Sequence, residues 1–172
     1  SFLKMGTTAA AAMAVSPSLL MGKEKKDKKA APQPLDRKLK ILAVGIGGRG
    51  ASVLRGLETE DIIGLCDVDW KYAAHIFERY PKAKRYNDYR VMFKEMLDEA
   101  DAVVVATADH THAIIAAEAI AAGKHVYVEK PLTHTVYESR LLTKLAAKHK
   151  VANQMGNQGA SEEGVNLACE WL

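Results

Sequence analysis

Two cysteines in 172 residues, Cys66 and Cys169, are too few for a disulfide framework. Cys66 falls in an apolar strand-like run and Cys169 in a late helical one, so a pair of inert thiols is expected rather than a bridge. Aromatic residues are only 6% of the chain and form no stripe on which nucleic-acid bases would stack. No apolar run reaches the roughly 20 strongly hydrophobic residues that a stable membrane span needs. His110 and His112 stand two apart and would leave a helix on different faces, and no other cluster has metal-ligand spacing, so no metal is expected. Neither sign of charge dominates, with 24 Lys+Arg against 21 Asp+Glu and a net +3. That surplus is local: residues 1–34 hold six lysines against Glu24 and Asp27, a charge of +4, which leaves −1 for the rest. A nucleic-acid partner is therefore not expected.

What is present is an ordinary globular composition, 48% hydrophobic and 26% charged, at a length that suits one domain and not two. The chain opens Ser1-Phe2-Leu3-Lys4, followed by an apolar Met5–Val15 run and small residues at Ala12 and Ala14. This is the layout of an export signal, and residues 1–22 are expected to be its remnant. Ser-Phe-Leu-Lys resembles the end of a twin-arginine signal, whose arginines would lie upstream of Ser1, and the expected location is periplasmic or otherwise exported. A Lys-capped amphipathic helix or a disordered tail is the alternative. Residues 23–36, Lys/Pro-rich, solvate well and bury nothing, so a linker is expected there, with contact to anionic lipid or nucleic acid as the alternative.

From residue 37 to 172 the apolar pattern alternates between short strands and amphipathic helices. Strands are expected at Lys40–Val44, Ile62–Cys66, Lys84–Tyr86, Ala102–Ala106, His125–Val128 and Val151–Met155. Helices are expected over Gly48–Leu57, Trp70–Arg79, Tyr89–Leu97, Thr111–Ala122, from the Thr135-Val136-Tyr137-Glu138 capping box to Lys148, and over Glu162–Leu172. Strands apolar on both faces, alternating with helices, imply an α/β fold with a doubly wound parallel sheet.

Gly45-Ile46-Gly47-Gly48-Arg49-Gly50 follows the first strand and opens the first helix, the GxGxxG spelling in the context it requires. Gly45 allows the tight turn, Gly47 and Gly48 let backbone approach a pyrophosphate, and Gly50 lets helix and strand pack closely. Asp67 ends the second strand 22 residues after Gly45, where a carboxylate accepts from the adenosine ribose hydroxyls. The same charge repels a 2′-phosphate, so NAD is expected over NADP. A helix N-cap is the other role for Asp67, one that Asp69 fills better. Arg49 would sit on the pyrophosphate or in solvent.

Three further segments stand together: Val104-Val105-Ala106-Thr107-Ala108-Asp109-His110-Thr111-His112, then Ala122-Gly123-Lys124-His125-Val126-Tyr127-Val128-Glu129-Lys130-Pro131, then Met155-Gly156-Asn157-Gln158-Gly159. With them the sequence resembles the Gfo/Idh/MocA oxidoreductase family, continuously from about Lys38 to Leu172. The resemblance implies an N-terminal Rossmann dinucleotide-binding domain. It also implies a C-terminal α/β substrate domain on a large antiparallel sheet, which these residues do not include and through which a homo-oligomer would form. It implies NAD- or NADP-linked oxidation or reduction of a sugar, inositol or related polyol. Carried over by position, Lys130 matches the catalytic lysine, Glu129 its partner, His112 the histidine of the helix after the fourth strand, and Asn157 a position near the nicotinamide. Thr107 holds the Thr of a Thr-Pro pair whose proline is Ala108 here.

The chemistry supports these roles separately. All three segments lie at the C-terminal ends of expected parallel strands, the edge where such sheets bind ligands. Alcohol oxidation needs a base for the hydroxyl proton, and a lysine serves when burial and a positive nicotinamide lower its pKa. Pro131 fixes the backbone beyond Lys130, and a cis bond is one way to do so. His112 would otherwise be a packing histidine. Two alternatives to an oxidoreductase remain: an NAD-retaining glycoside hydrolase that acts by transient oxidation and elimination, and a dinucleotide-binding protein without turnover.

Overall fold

The structure, a computed structural model, describes residues 36–171. The leader expected at 1–22, nearly all of the linker expected at 23–36, and Leu172 lie outside the described residues. Six strands alternate with helices in chain order: β1 Lys40–Val44, α1 Arg49–Arg55, β2 Asp61–Cys66, α2 Ala74–Arg79, β3 Lys84–Tyr86, α3 Tyr89–Met96, β4 Ala102–Val105, α4 His112–Ala121, β5 His125–Glu129, α5 Val136–His149, β6 Asn153–Gly156 and α6 Glu163–Trp171.

Every strand pairing is parallel, and the sheet runs β3-β2-β1-β4-β5-β6. This is the doubly wound order in which the chain reverses direction across the sheet between β1 and β4. Alternate strand residues feed opposite faces. Ile41, Ala43, Leu65 and Val104 pack under α1 and α2 with Leu54, Ile76 and Phe77. Leu42, Val44, Val103, Val105 and Val128 pack on the other face with Met92, Phe93, Ile115, Ile120 and Leu142 from α3, α4 and α5. The two-faced apolarity of β1 and β4 is thus used on both sides.

Two element starts differ from the sequence expectation by more than one residue. Regular helix begins at Ala74 and not Trp70, because the Asp69 carboxylate accepts from the Lys71 and Tyr72 N–H groups at 3.1 and 3.0 Å and holds Trp70–Ala73 in a turn. The last strand begins at Asn153 and not Val151. Lys150 closes α5 with a left-handed φ of 55°, and the Val151 N–H returns to the Ala146 carbonyl, so Val151 finishes the helix. The expected capping box is formed: Thr135 Oγ1 accepts from the Glu138 N–H, and the Glu138 carboxylate from the Thr135 N–H at 2.8 Å. Cys66 is buried, Cys169 is exposed, and both are free. Among the described residues no helix is long and apolar enough to cross a membrane.

Asp101, in the turn before β4, fastens the N-terminal edge of the sheet. Its carboxylate accepts from both Arg37 Nη atoms at 2.6 and 2.7 Å and from the Lys40 N–H at 2.8 Å. The Arg37 bonds, then the Lys40 bond, hold its pKa well below the usual carboxylate range. A depressed native pKa stabilises the fold above the unfolded value of roughly 4 and loses that contribution as pH falls. Asp101→Asn is therefore expected to lower the melting temperature at pH 7, with the gap to the parent closing as acid is added. Melting curves over a pH series check this, and a gap that is constant with pH would contradict it.

Candidate dinucleotide site

The C-terminal edge of the sheet is built first by the glycine loop. Gly45 has φ +79°, a conformation that side chains resist, and its N–H donates to the Cys66 carbonyl at 2.8 Å. A Cβ there would lie 2.6 Å from the Ala106 carbonyl oxygen, and a Cβ on Gly50 would land on the carbonyl oxygen of Gly45. The loop is thus pressed between β1, β4 and the start of α1 with no room for side chains at these two points.

Asp67 does more than end β2. The Ile46 and Gly47 N–H groups donate to its Oδ2 at 2.8 and 3.0 Å, and the Asp69 N–H donates to Oδ1 at 2.9 Å. Oδ2 is filled by two donors, so the capacity left for a ribose hydroxyl is on Oδ1. Asp69 does not take the helix N-cap role the sequence suggests: its carboxylate closes the turn ahead of α2, whose N-cap is Ala73 with no side-chain bond.

A cavity of about 1110 Å³ opens here, lined by Gly45, Gly47, Gly48, Arg49, Asp67 and Thr107 from among the expected residues. Its far wall is the Asn87–Val91 segment, with Ile114 of α4. Asp88 in that wall caps α3 and is held at a pKa of about 2 by its bonds to Arg90. Tyr72 was not indicated by any spacing in the sequence, yet its ring packs over the loop. A Cβ on Gly47 would collide with Tyr72 Cδ1, and one on Gly48 would come 3.3 Å from its hydroxyl. Burial, then the charges of Asp67 and Asp88, push the Cys66 thiol at the cavity up to about 12, which keeps it an unreactive thiol.

The remaining expected residues sit on adjoining strand ends. Lys130 is exposed directly after β5, and its bond to Pro131 is cis. Asn157 is exposed after β6. Glu129 is only 3% exposed. Its Oε1 accepts from Arg49 Nε at 3.2 Å and from Gln158 Nε2 at 2.6 Å, and its Oε2 accepts from the Lys130 N–H at 3.3 Å. Arg49 is therefore ion-paired with Glu129 while also lining the cavity, a third position beyond the two its sequence context offered. Gln158, which also donates to the Tyr127 hydroxyl at 2.8 Å, is a member of this network that sequence reasoning passed over. His112 is 1% exposed at the first position of α4, with Nδ1 2.6 Å from the Pro131 carbonyl oxygen and Nε2 3.0 Å from that of Thr107.

The residues present fit a dinucleotide. The close-packed glycine loop presents the exposed Gly48 and Arg49 to the cavity at the start of α1. The first N–H groups of α1 lack partners within the helix. The carboxylate of Asp67 lines the same cavity as the loop, with capacity left on Oδ1 for a further donor, and the cavity lies at the reversal point of the sheet.

Comparison with known proteins agrees with this geometry. The model of an oxidoreductase family with an NAD-binding Rossmann fold, GFO_IDH_MocA, matches residues 39–157. Inositol 2-dehydrogenase of Acidothermus cellulolyticus is 36% identical over 104 residues, which cover 58% of this chain and 30% of that protein. The alpha-N-acetylgalactosaminidase of Shewanella oneidensis is 31% identical over 105 residues, covering 55% of this chain and 23% of that protein. The crystal structure of GenD2 from gentamicin A biosynthesis in complex with NAD superposes with a TM-score of 0.62 at 31% identity, covering 72% of this chain and 36% of that one. The chain spans about a third of the length of the curated relatives it matches. Given a glycine loop, an acid and a sheet order that agree with a match over residues 39–157, the chain belongs to the Gfo/Idh/MocA family of oxidoreductases, through its NAD-binding Rossmann fold.

Proposed function

We propose that this chain is the NAD-binding part of an exported oxidoreductase that moves hydride between nicotinamide and a secondary alcohol of a sugar, an inositol or a related polyol. The observation that carries this reading is the placement of Lys130 one strand over from the Thr107 wall of the cavity, on the ligand-binding edge of the sheet. The inositol 2-dehydrogenase relatives support the substrate class.

In this reading the glycine loop receives the pyrophosphate and Asp67 the adenosine ribose, favouring NAD over NADP. Nicotinamide, when bound, supplies the hydride acceptor or donor. Lys130 takes the hydroxyl proton as the alcohol becomes a ketone and returns it in the reverse direction. Glu129, buried and bonded to the Lys130 N–H, fixes the backbone that carries this side chain. In the whole protein, Lys130→Ala is expected to lower kcat by about 10²- to 10⁴-fold while NAD affinity changes little. Unchanged turnover would remove Lys130 from the role.

The Shewanella oneidensis relative supports a second reading, a glycoside hydrolase that oxidises its sugar transiently and returns the hydride after elimination. Absorbance at the NADH band under substrate separates the two: steady accumulation of NADH marks net oxidation, and sugar release without it marks the hydrolase. Export rests on the leader residues, and cytosolic retention of the protein expressed with its native upstream sequence would contradict it.

A further inference from the structure

His112 is buried more deeply than a ligand-contacting histidine needs to be, and both ring nitrogens are directed at backbone carbonyls on two separate strand-end loops. One is the Pro131 carbonyl, one residue past Lys130. The other is the Thr107 carbonyl, on the wall of the dinucleotide cavity. A carbonyl can only accept, so each arm is a hydrogen bond when the facing ring nitrogen carries a proton, and both arms are made at once only by the doubly protonated ring. Other bonds already stiffen the Thr107 side. Thr111 Oγ1 lies 2.7 Å from Thr107 Oγ1, and it donates to the Ala108 carbonyl at the same distance. The turn after β4 is thus a fixed post, and the ring reaches from it to the loop that carries Lys130.

We propose that His112 is a positioning residue that sets the separation between the cavity wall at Thr107 and the loop bearing Lys130. It touches neither the dinucleotide nor the reacting atoms and acts through the Pro131 carbonyl. This rests on the reading of the cavity as a dinucleotide site with Lys130 at its nicotinamide end. The 2.6 Å arm to Pro131 is the shorter of the two and the one that bears on Lys130.

Two amide side chains separate the arms. The nitrogen of Asn is attached to Cγ, as Nδ1 is in histidine, and that of Gln stands one atom further out, as Nε2 does. His112→Asn therefore keeps a donor for Pro131 and loses the Thr107 arm, and His112→Gln does the reverse. In the full 172-residue chain, carbon NMR of the free protein should show the Pro131 carbonyl shift moving in His112→Gln and holding in His112→Asn, with Thr107 showing the opposite pattern. The parent should also give a slowly exchanging downfield Nδ1–H resonance, which does not require any variant to fold.

ADP, which lacks nicotinamide, serves as the reference ligand. The ratio of the NAD dissociation constant to that of ADP is expected to rise about threefold or more in His112→Gln, as for loss of one hydrogen bond, and to change by less than about twofold in His112→Asn. The Lys130 Cε resonance should respond to NAD in the parent and His112→Asn and respond less in His112→Gln. Equal behaviour of the two variants, a change that follows only their melting temperatures, or a missing Nδ1–H resonance would overturn the positioning role. Failure of the parent to bind either nucleotide would instead overturn the dinucleotide reading, and the free-protein carbonyl shifts would still report the two arms.

Discussion

Gly50→Ala is expected to abolish dinucleotide binding and to destabilise the fold by about 3 kcal/mol or more, at the upper end for overpacking, because the new methyl meets backbone and not a side chain that can turn away. The added Cβ would coincide with the Gly45 carbonyl oxygen and press within 3.4 Å of Ala106 Cβ. Relief requires α1 to move off β1, and that displaces the loop that lines the cavity. Gly123→Ala is the matched control. Gly123 also has a positive φ, +76°, but nothing lies within 4 Å of its Cβ position. It should cost only the conformational strain of about 1–2 kcal/mol and leave nucleotide affinity unchanged. Denaturant melts and NAD titrations of the two variants give the comparison. Equal losses of affinity would mean that close packing beneath the loop is not what shapes it.

Asp67→Ser is expected to reverse or strongly weaken the proposed preference for NAD over NADP, by about tenfold or more in the ratio of their affinities, since a full charge that would face the 2′-phosphate is removed. The Asp67 carboxylate has two jobs, and the variant should show both. Losing the acceptor for the Ile46, Gly47 and Asp69 N–H groups should lower stability by about 1–3 kcal/mol without any ligand. Losing the charge should act on NADP alone and should matter less in high salt, because repulsion across an open cavity is screened. Titrating both nucleotides at two ionic strengths separates these effects. An unchanged affinity ratio would remove Asp67 as the discriminating group.

Elements whose cause lies within a few residues were legible in the sequence. The two-faced apolarity of Ile41–Val44 and Val103–Val105, the glycine spacing and the Thr135–Glu138 capping box each required their local structure, and together they required a doubly wound sheet. The two misplaced element starts have equally local causes, the Asp69 turn and the left-handed Lys150. Both are side-chain or backbone details that apolar periodicity does not encode. The partners of Arg49, Gln158 and His112 were not legible for a different reason. Arg49 meets Glu129, and His112 meets Pro131, only once α1, α4 and β5 have been laid across one sheet in a particular register. Spacing along the chain carries no information about such meetings. Tyr72 over the glycine loop belongs with them: its ring covers Gly47 because β2 lies beside β1.

The placement of β1 in the middle of the sheet has a kinetic consequence. It pairs with β2, its near neighbour in the chain, and with β4, where Ile41 meets Ala102 across most of the first half of the domain. The two walls of the cavity, the glycine loop after β1 and Thr107 after β4, become neighbours only through that distant pairing. Closing so long a loop is slow compared with forming helices and hairpins. Until it closes there is no cavity for a nucleotide to recognise. A bound dinucleotide should thus act as a brake on unfolding and leave the folding rate nearly untouched.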